Sequence, residues 1–307
     1  MATGLSLSTS GSLQSMSKTI IAEAIDQIEP AAPLKGLVSE YPIPSGSYQV
    51  NVPIWGRLTA AALTEGVDLA VPQQLTTTVV QLTASEHGIL SFISDKLAHE
   101  NNESVLSAIG SMQGRAMGRL LDSDLITLIQ NFDVTSGGGA GAATSMFHIA
   151  GAVSYLRTDN NAAYGPAPSR PNAVLHPEQI RRLTTEMAGL TSTSAAATAA
   201  TGFVPEGPSA DVLKQYWRGN DPIFGVPIFE DGNISGDVSG DSSNDAKGAV
   251  FVKEALALAM ESEIKAEEER DASLRGTELV TSAIWGESEV VGVWGVVIYS
   301  MADALPS

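Results

Sequence analysis

Two β-patterned runs early in the chain, Tyr48–Ile54 and Leu75–Thr83, are separated by a connection, Arg57–Gln74, far longer than a hairpin turn. In the first run Tyr48, Val50, Val52 and Ile54 fall on one face, and Gln49, Asn51 and Trp55 on the other, the pattern of a half-buried strand. The second run, LTTTVVQLT, is rich in β-branched residues. Together they predict a long, projecting β-arm. A two-stranded ribbon is marginal by itself in water, so the arm needs a partner surface.

The residues before it, Met1–Gly46, combine a Ser/Thr/Gly-rich start with a short amphipathic piece (Ile20, Ile21, Ala24, Ile25, Ile28) and a Pro-broken exit at Pro30, Pro33, Pro42 and Pro44. This is an extended arm carrying one small helix, and it too lies against something else. Beyond the β-arm, Val105, Ile109, Met112, Ala116 and Leu120 keep helical spacing, which predicts a helix from Asn102 to about Phe132. Asn101, Asn102 and Glu103 supply a cap and a first-turn acid. Such a helix is a rod of about 45 Å, and it stops before Gly137-Gly138-Gly139.

After the glycines, Met146–Leu156 reads as helix and Pro171–His176 as a short buried strand; Pro177 suits the first position of a helix running to Met187. Gly189–Gly207 and Asp231–Lys247 have loop composition. Val290–Ile298 is β-rich, whereas Ile264–Arg270 (IKAEEER) has helix propensity inside a pattern that also permits a strand.

A length of 307 residues suggests two structural units. Seventeen basic residues against 35 acidic ones leave a net charge of −18, which disfavours a phosphate-gripping surface and with it sequence-specific nucleic-acid binding. With no cysteine there are no disulfides, thiolate metal sites or cysteine nucleophiles. The first residues lack the basic and apolar segments of a signal peptide, and the most apolar run, Val290–Tyr299, is about half of what a membrane helix needs.

Enzyme signatures fail one by one. G-x-S-x-G, Walker A and G-x-G-x-x-G after a strand are absent. His99-Glu100-Asn101-Asn102-Glu103 starts like a helical zinc motif but has Glu103 where the second His belongs. Gly137-Gly138-Gly139 has no cation to hold a phosphate and reads as a connector, and His87, His148 and His176 are scattered. Asp231, Asn233, Ser235 and Ser239 occupy calcium-loop positions 1, 3, 5 and 9 with Gly236 at 6, but position 12 is Ser242 rather than a bidentate Glu, so a solvated turn is the simpler reading. No catalytic, cofactor or metal residue is assigned. The acidic run Glu261, Glu263, Glu267, Glu268, Glu269, followed by Arg270 and Arg275, reads as a solvated or inter-subunit face.

The order of elements, together with VLHPEQIRRL (Val174–Leu183), DPIFGVPIFEDGNI (Asp221–Ile234), KGAVFVKEALALAM (Lys247–Met260) and EEERDASLRGTELVTSAIWG (Glu267–Gly286), resembles the major capsid proteins of tailed bacteriophages. The resemblance covers nearly the whole chain and implies an α+β, HK97-like fold. It divides the chain into an N-terminal arm (1–47), an E-loop β-arm (48–92), a spine helix of the peripheral domain (93–136), an axial domain (137–246) and the peripheral domain's return strands (247–307). It further implies that Ile264–Arg270 is a strand and that Tyr48–Phe92 reaches over a neighbouring subunit. The function it implies is a self-assembling, non-enzymatic subunit of an icosahedral shell around double-stranded DNA, located in the virion and assembled in the host cytoplasm. Its partners would be other copies of itself in hexamers and pentamers, with separate scaffold, portal and decoration proteins.

Two departures from the family matter. No lysine lies between Lys35 and Lys96, so an E-loop lysine cross-link is not expected, and the stretch before Tyr48 is too short for a fused scaffold. Candidate inter-subunit contacts are Arg57, Glu65 and Asp68, the charges of an arm tip that cannot bury itself, with Glu267, Arg270 and Arg275. Two other readings compete: an encapsulin-like protein compartment, which shares the fold, and a secreted calcium-binding adhesin or hydrolase, motivated by the Asp231 loop.

Overall fold

A computed structural model describes residues 33–44, 46–60, 62–63, 65–66, 72–95, 104–159, 163–187, 223–236 and 244–302. The Ile20–Ile28 piece, His99–Glu103 with its cap, Asp68, Ser239, Ser242 and the Gly189–Gly207 loop lie outside these residues. In chain order the elements are β1 (Ser39–Pro42), β2 (Gln49–Trp55), β3 (Thr77–Thr83), β4 (Ser85–Ser94), α1 (Ser104–Ile129), β5 (Val134–Ser136), α2 (Met146–Arg157), β6 (Asn172–Leu175), α3 (Pro177–Met187), β7 (Ile228–Glu230), β8 (Asp245–Phe251), β9 (Leu256–Asp271), β10 (Gly276–Glu289) and β11 (Gly295–Met301). A 3-10 turn, Pro33–Leu37, precedes β1.

The strands form a four-stranded sheet in the order β1-β9-β10-β4, a five-stranded sheet in the order β5-β11-β8-β6-β7, and the two-stranded ribbon β2-β3. Ile264–Arg270 lies in β9 despite its helix propensity. The segment runs in antiparallel register with β10, Glu267 opposite Val280 and Arg270 opposite Thr277, so alternate residues gain ladder hydrogen bonds and all gain cross-strand neighbours that a short isolated helix would not supply. The β9–β10 hairpin turns at Asp271, whose carboxylate accepts the backbone N–H groups of Ser273 and Leu274. The Ser273 hydroxyl, which donates to the same oxygen, and then those two bonds hold the Asp271 carboxyl below its ordinary pKa.

Helix α1 packs on the four-stranded sheet, but not with the stripe that the sequence singles out. Met112 and Leu120 are exposed, while Met117, Leu121, Leu125, Ile126 and Ile129 are buried against Ala283, Trp285 and Phe251. Apolar residues occur around more than one face of α1, so spacing alone does not choose the buried one. Gln113 fixes the docking: its Nε2 donates to Ser91 Oγ on β4, and its Oε1 accepts from Thr281 Oγ1 on β10. Its neighbours on the strand faces are satisfied by the same two bonds.

The five-stranded sheet is buried on both faces. Ala173, Leu175, Val250, Val296 and Ile298 face α2 and α3, where Ile149, Val153, Leu156, Ile180 and Leu183 meet them. Val174, Ala249, Phe251 and Val297 point the other way, into the cluster that holds the lower half of α1. This alternation along β6, β8 and β11 joins the two sheets into one core. The helix starts follow local rules. Ser145 accepts from the Phe147 N–H and His148 Nδ1 accepts the Ser145 N–H, a capping box on α2. His176 Nδ1 accepts the Glu178 N–H at the start of α3, with Pro177 in first position. His87 stacks on Trp285 at 4.0 Å. All three histidines thus have structural partners.

Candidate assembly surface

The ribbon realises the β-arm. Gln49 opposes Thr83 and Trp55 opposes Thr77 in one unbroken antiparallel register. Its near end has a seat on this chain: Val52 and Leu82 are buried with Ile43, Ala257 and Ala259. Tyr48, assigned to the buried face by its alternation, is exposed. It lies before the first paired residue, where the strand period no longer fixes its direction. The close approach at the base is set by Gly286, where a Cβ would run into the carbonyl of Thr83.

Away from that seat the apolar residues lose cover. Trp55 is 60%, Leu58 61%, Leu63 71% and Val79 54% exposed, and Leu75 is also exposed. Cross-strand pairing continues past the strands, from the Gly56 N–H to the Thr76 carbonyl and from the Thr59 N–H to Gln73 Oε1. This is an ordered apolar surface, the kind that marks a protein contact site.

The candidate contact residues fall into two separate groups. On the arm, Glu65 is exposed, and Arg57 has a partner within the chain: its Nη1 donates to Asp159 Oδ1 at 2.5 Å, beyond the end of α2. Asp159 holds the guanidinium above its ordinary pKa, and its Nη1 lies against Gly165. Arg57 therefore steadies the arm over its own chain. The second group sits at the far end of β9–β10, about 36 Å along the strand from Ala259 at a rise of about 3.3 Å per residue.

There Glu267 is exposed, and Arg275 is exposed with a φ of 53°, in the left-handed region. Arg270 is bonded to Asp95 rather than to the glutamates beside it. Asp95 is the residue that the sequence reading missed. It lies 175 positions before Arg270, and no spacing rule connects them.

The Asp231 loop is described through Gly236. Asp231 Oδ1 accepts the Asn233 backbone N–H at 2.8 Å, and Asn233 Nδ2 donates to Asp122 Oδ2 at 2.7 Å. The side-chain amide of calcium-loop position 3 is thus spent on a carboxyl of α1. Among the described residues no group of three or more His, Asp or Glu side chains converges as metal ligands.

No protein-family model matches the chain, and no curated protein matches it. Solved structures do. The capsid chain of Ralstonia phage GP4 superposes with a TM-score of 0.64 at 13% identity, covering 88% of this chain and 89% of the other. That of Cyanophage P-SCSP1u gives 0.58 at 16% identity over 87% of each chain. The head structure of Helicobacter pylori bacteriophage KHP40 gives 0.61 at 12% identity, covering 89% and 91%. The chain has the mixed α+β fold of these phage capsid chains.

Proposed function

We propose that this chain is the major capsid subunit of a tailed bacteriophage, a structural protein that assembles with copies of itself into the icosahedral shell around a double-stranded DNA genome. In this reading the β2–β3 ribbon is the E-loop and α1 the spine helix; the sheet β1-β9-β10-β4 belongs to the peripheral domain and the sheet β5-β11-β8-β6-β7 to the axial domain. The supporting observation is the ribbon. It is ordered by a full register, its apolar side chains are buried on its own chain at the base, and it presents Trp55, Leu58, Leu63 and Val79 outward.

Burying four such side chains against a neighbour is worth roughly 1.5–3 kcal/mol each in transfer terms, and a closed shell repeats that contact at every subunit. The role is assembly, with no catalytic step. A charge of −18 suits a wall that confines DNA without gripping it, since counterions rather than protein balance most of the phosphate charge. Scaffold, portal and decoration proteins would be separate chains, and assembly would take place in the host cytoplasm.

Electron microscopy of the native particle with nuclease protection of its contents tests the proposal. Uniform icosahedral shells with protected DNA are the expected result. Shells filled with protein would replace it with an encapsulin-like compartment, and a monomer or small oligomer at high concentration would overturn both shell readings.

A further inference from the structure

Two buried carboxyl groups that the assembly role does not use meet where α1, the Pro33–Leu37 turn and the loop after β7 come together. Asp122 on α1 is 0% exposed and Asp231 on the loop 2%. Asp122 Oδ1 accepts the Leu34 N–H at 3.4 Å, and its Oδ2 accepts Asn233 Nδ2 at 2.7 Å. Asp231 Oδ1 accepts the Asn233 N–H, while its Oδ2 is buried with no hydrogen-bond partner among the described residues. Asn233 therefore bridges the two carboxyls, its backbone N–H on Asp231 and its side-chain amide on Asp122, and Asp231 acts on Asp122 both by its charge and by hydrogen bonding.

Among the described residues the surrounding charges offer no simple neutralisation. Lys35, next to Leu34, lines an outer groove with Glu40, Tyr41 and Glu261. On α1, Arg119 is exposed, and Asp124 accepts the Trp285 indole N–H. From the β6–α3 junction, His176 feels Glu178, Asp231 and Glu230, but burial holds it below its ordinary pKa. Two ionised carboxylates in contact and out of water repel each other and forfeit hydration. One proton removes a charge and gives Asp231 Oδ2 the donor it lacks.

We propose that Asp122 keeps a proton in the folded chain and donates it to Asp231, and that this proton is a pH-sensitive latch clamping the 231–236 loop onto α1. The clamp matters because Ile234, in the middle of that loop, is buried in the same cluster as Leu34, Leu121 and Leu125. Burial raises the Asp122 carboxyl to about 7; the Asn233 hydrogen bond opposes this, and the Asp231 charge adds to it. A folded state that keeps a proton the unfolded chain releases is favoured at low pH, so the latch is tight in acid and loosens as pH rises through neutrality.

Hydrogen exchange by mass spectrometry on the full chain, corrected for the chemical effect of pH, reads the latch in peptides covering 228–236. The expected result is that protection falls about tenfold or more from about pH 5 to about pH 7 and levels off above that. Asp122→Asn keeps the acid-form protection throughout, whereas Asp231→Asn removes the neighbouring charge but leaves Asp122 buried, so it weakens the dependence without abolishing it. Flat protection in the wild-type chain would overturn the proposal, as would pH dependence that survives unchanged in Asp122→Asn. Protection restored at high pH by calcium or magnesium would also overturn it, because the pair would then be a cation site.

Discussion

The guanidinium of Arg270 reaches across β10 to both carboxylate oxygens of Asp95, Nη1 to Oδ1 at 2.6 Å and Nη2 to Oδ2 at 2.9 Å. Between them lie Thr277, the register partner of Arg270, and Ile93 on β4. The Asp95 N–H also donates to the Arg275 carbonyl. The fork thus closes the far end of the three-stranded extension β9-β10-β4.

Because the pair is exposed, Arg270→Ala changes the thermal midpoint little. Its effect is local: amide exchange of Ser94, Asp95 and Gly276 speeds up while that of the sheet centre does not. High salt in the wild-type protein moves the same amides in the same direction.

Gly286→Ala puts a methyl group where the Thr83 carbonyl and Ala84 backbone lie. Overpacking of this kind costs about 1–3 kcal/mol, and here it acts on the ribbon's seat. Denaturant unfolding reads the loss, and protease cleavage between Gly56 and Thr76 rises before global unfolding.

Trp55→Ser combined with Val79→Ser removes two outward side chains without touching the buried Val52 and Leu82. The monomer's unfolding midpoint stays within about 0.5 kcal/mol of wild type, as for surface changes generally. Shell yield by sedimentation drops steeply if the ribbon makes the inter-subunit contact.

The pH dependence of stability carries a sign. Asp122, raised to about 7, binds a proton in the folded state that the unfolded chain has already lost, so its contribution falls as pH climbs from about 4 to about 7 and is constant above. Glu287 and Glu289, raised by burial and then by Asp124 and Asp133, act with the same sign. Asp122→Asn therefore flattens the pH slope of the denaturation midpoint in that window while leaving the part due to the two glutamates.

The absence of lysine between Lys35 and Lys96 gives a further outcome. Particles dissolved in hot detergent run as a single band of monomer mass, with no ladder of covalently linked chains.

Local pattern made much of the fold legible. The ribbon strands, the two shorter helices and the Pro177 start followed from period and capping chemistry, which act over a few residues. The buried face of α1 was not legible, because Met112 and Met117 are equally apolar and only the strands of β4 and β10 decide between them. Of the candidate contacts, the exposure of Glu65, Glu267 and Arg275 was readable from charge. The partners of Arg57 and Arg270 were not, because Asp159 and Asp95 meet them only after distant elements pack. The Asp122–Asp231 meeting had half a signal in the turn-forming Asp231-Gly232-Asn233 and none in α1.

In both larger sheets the strands made last are the interior ones. β9 and β10 hold the centre of one, and β11 with β8 joins β5 to β6 in the other. Emerging from a ribosome, β1, β4 and β5 have no sheet to join until residues 245–301 follow them, β6 has only the short β7 beside it, and the ribbon waits equally long for Ala257 and Ala259. Such delayed pairing is slow and leaves strand edges open meanwhile. The same delay means that a growing chain has no finished subunit surface until residues 245–301 have emerged, and two nascent neighbours cannot begin to associate by their native faces before then.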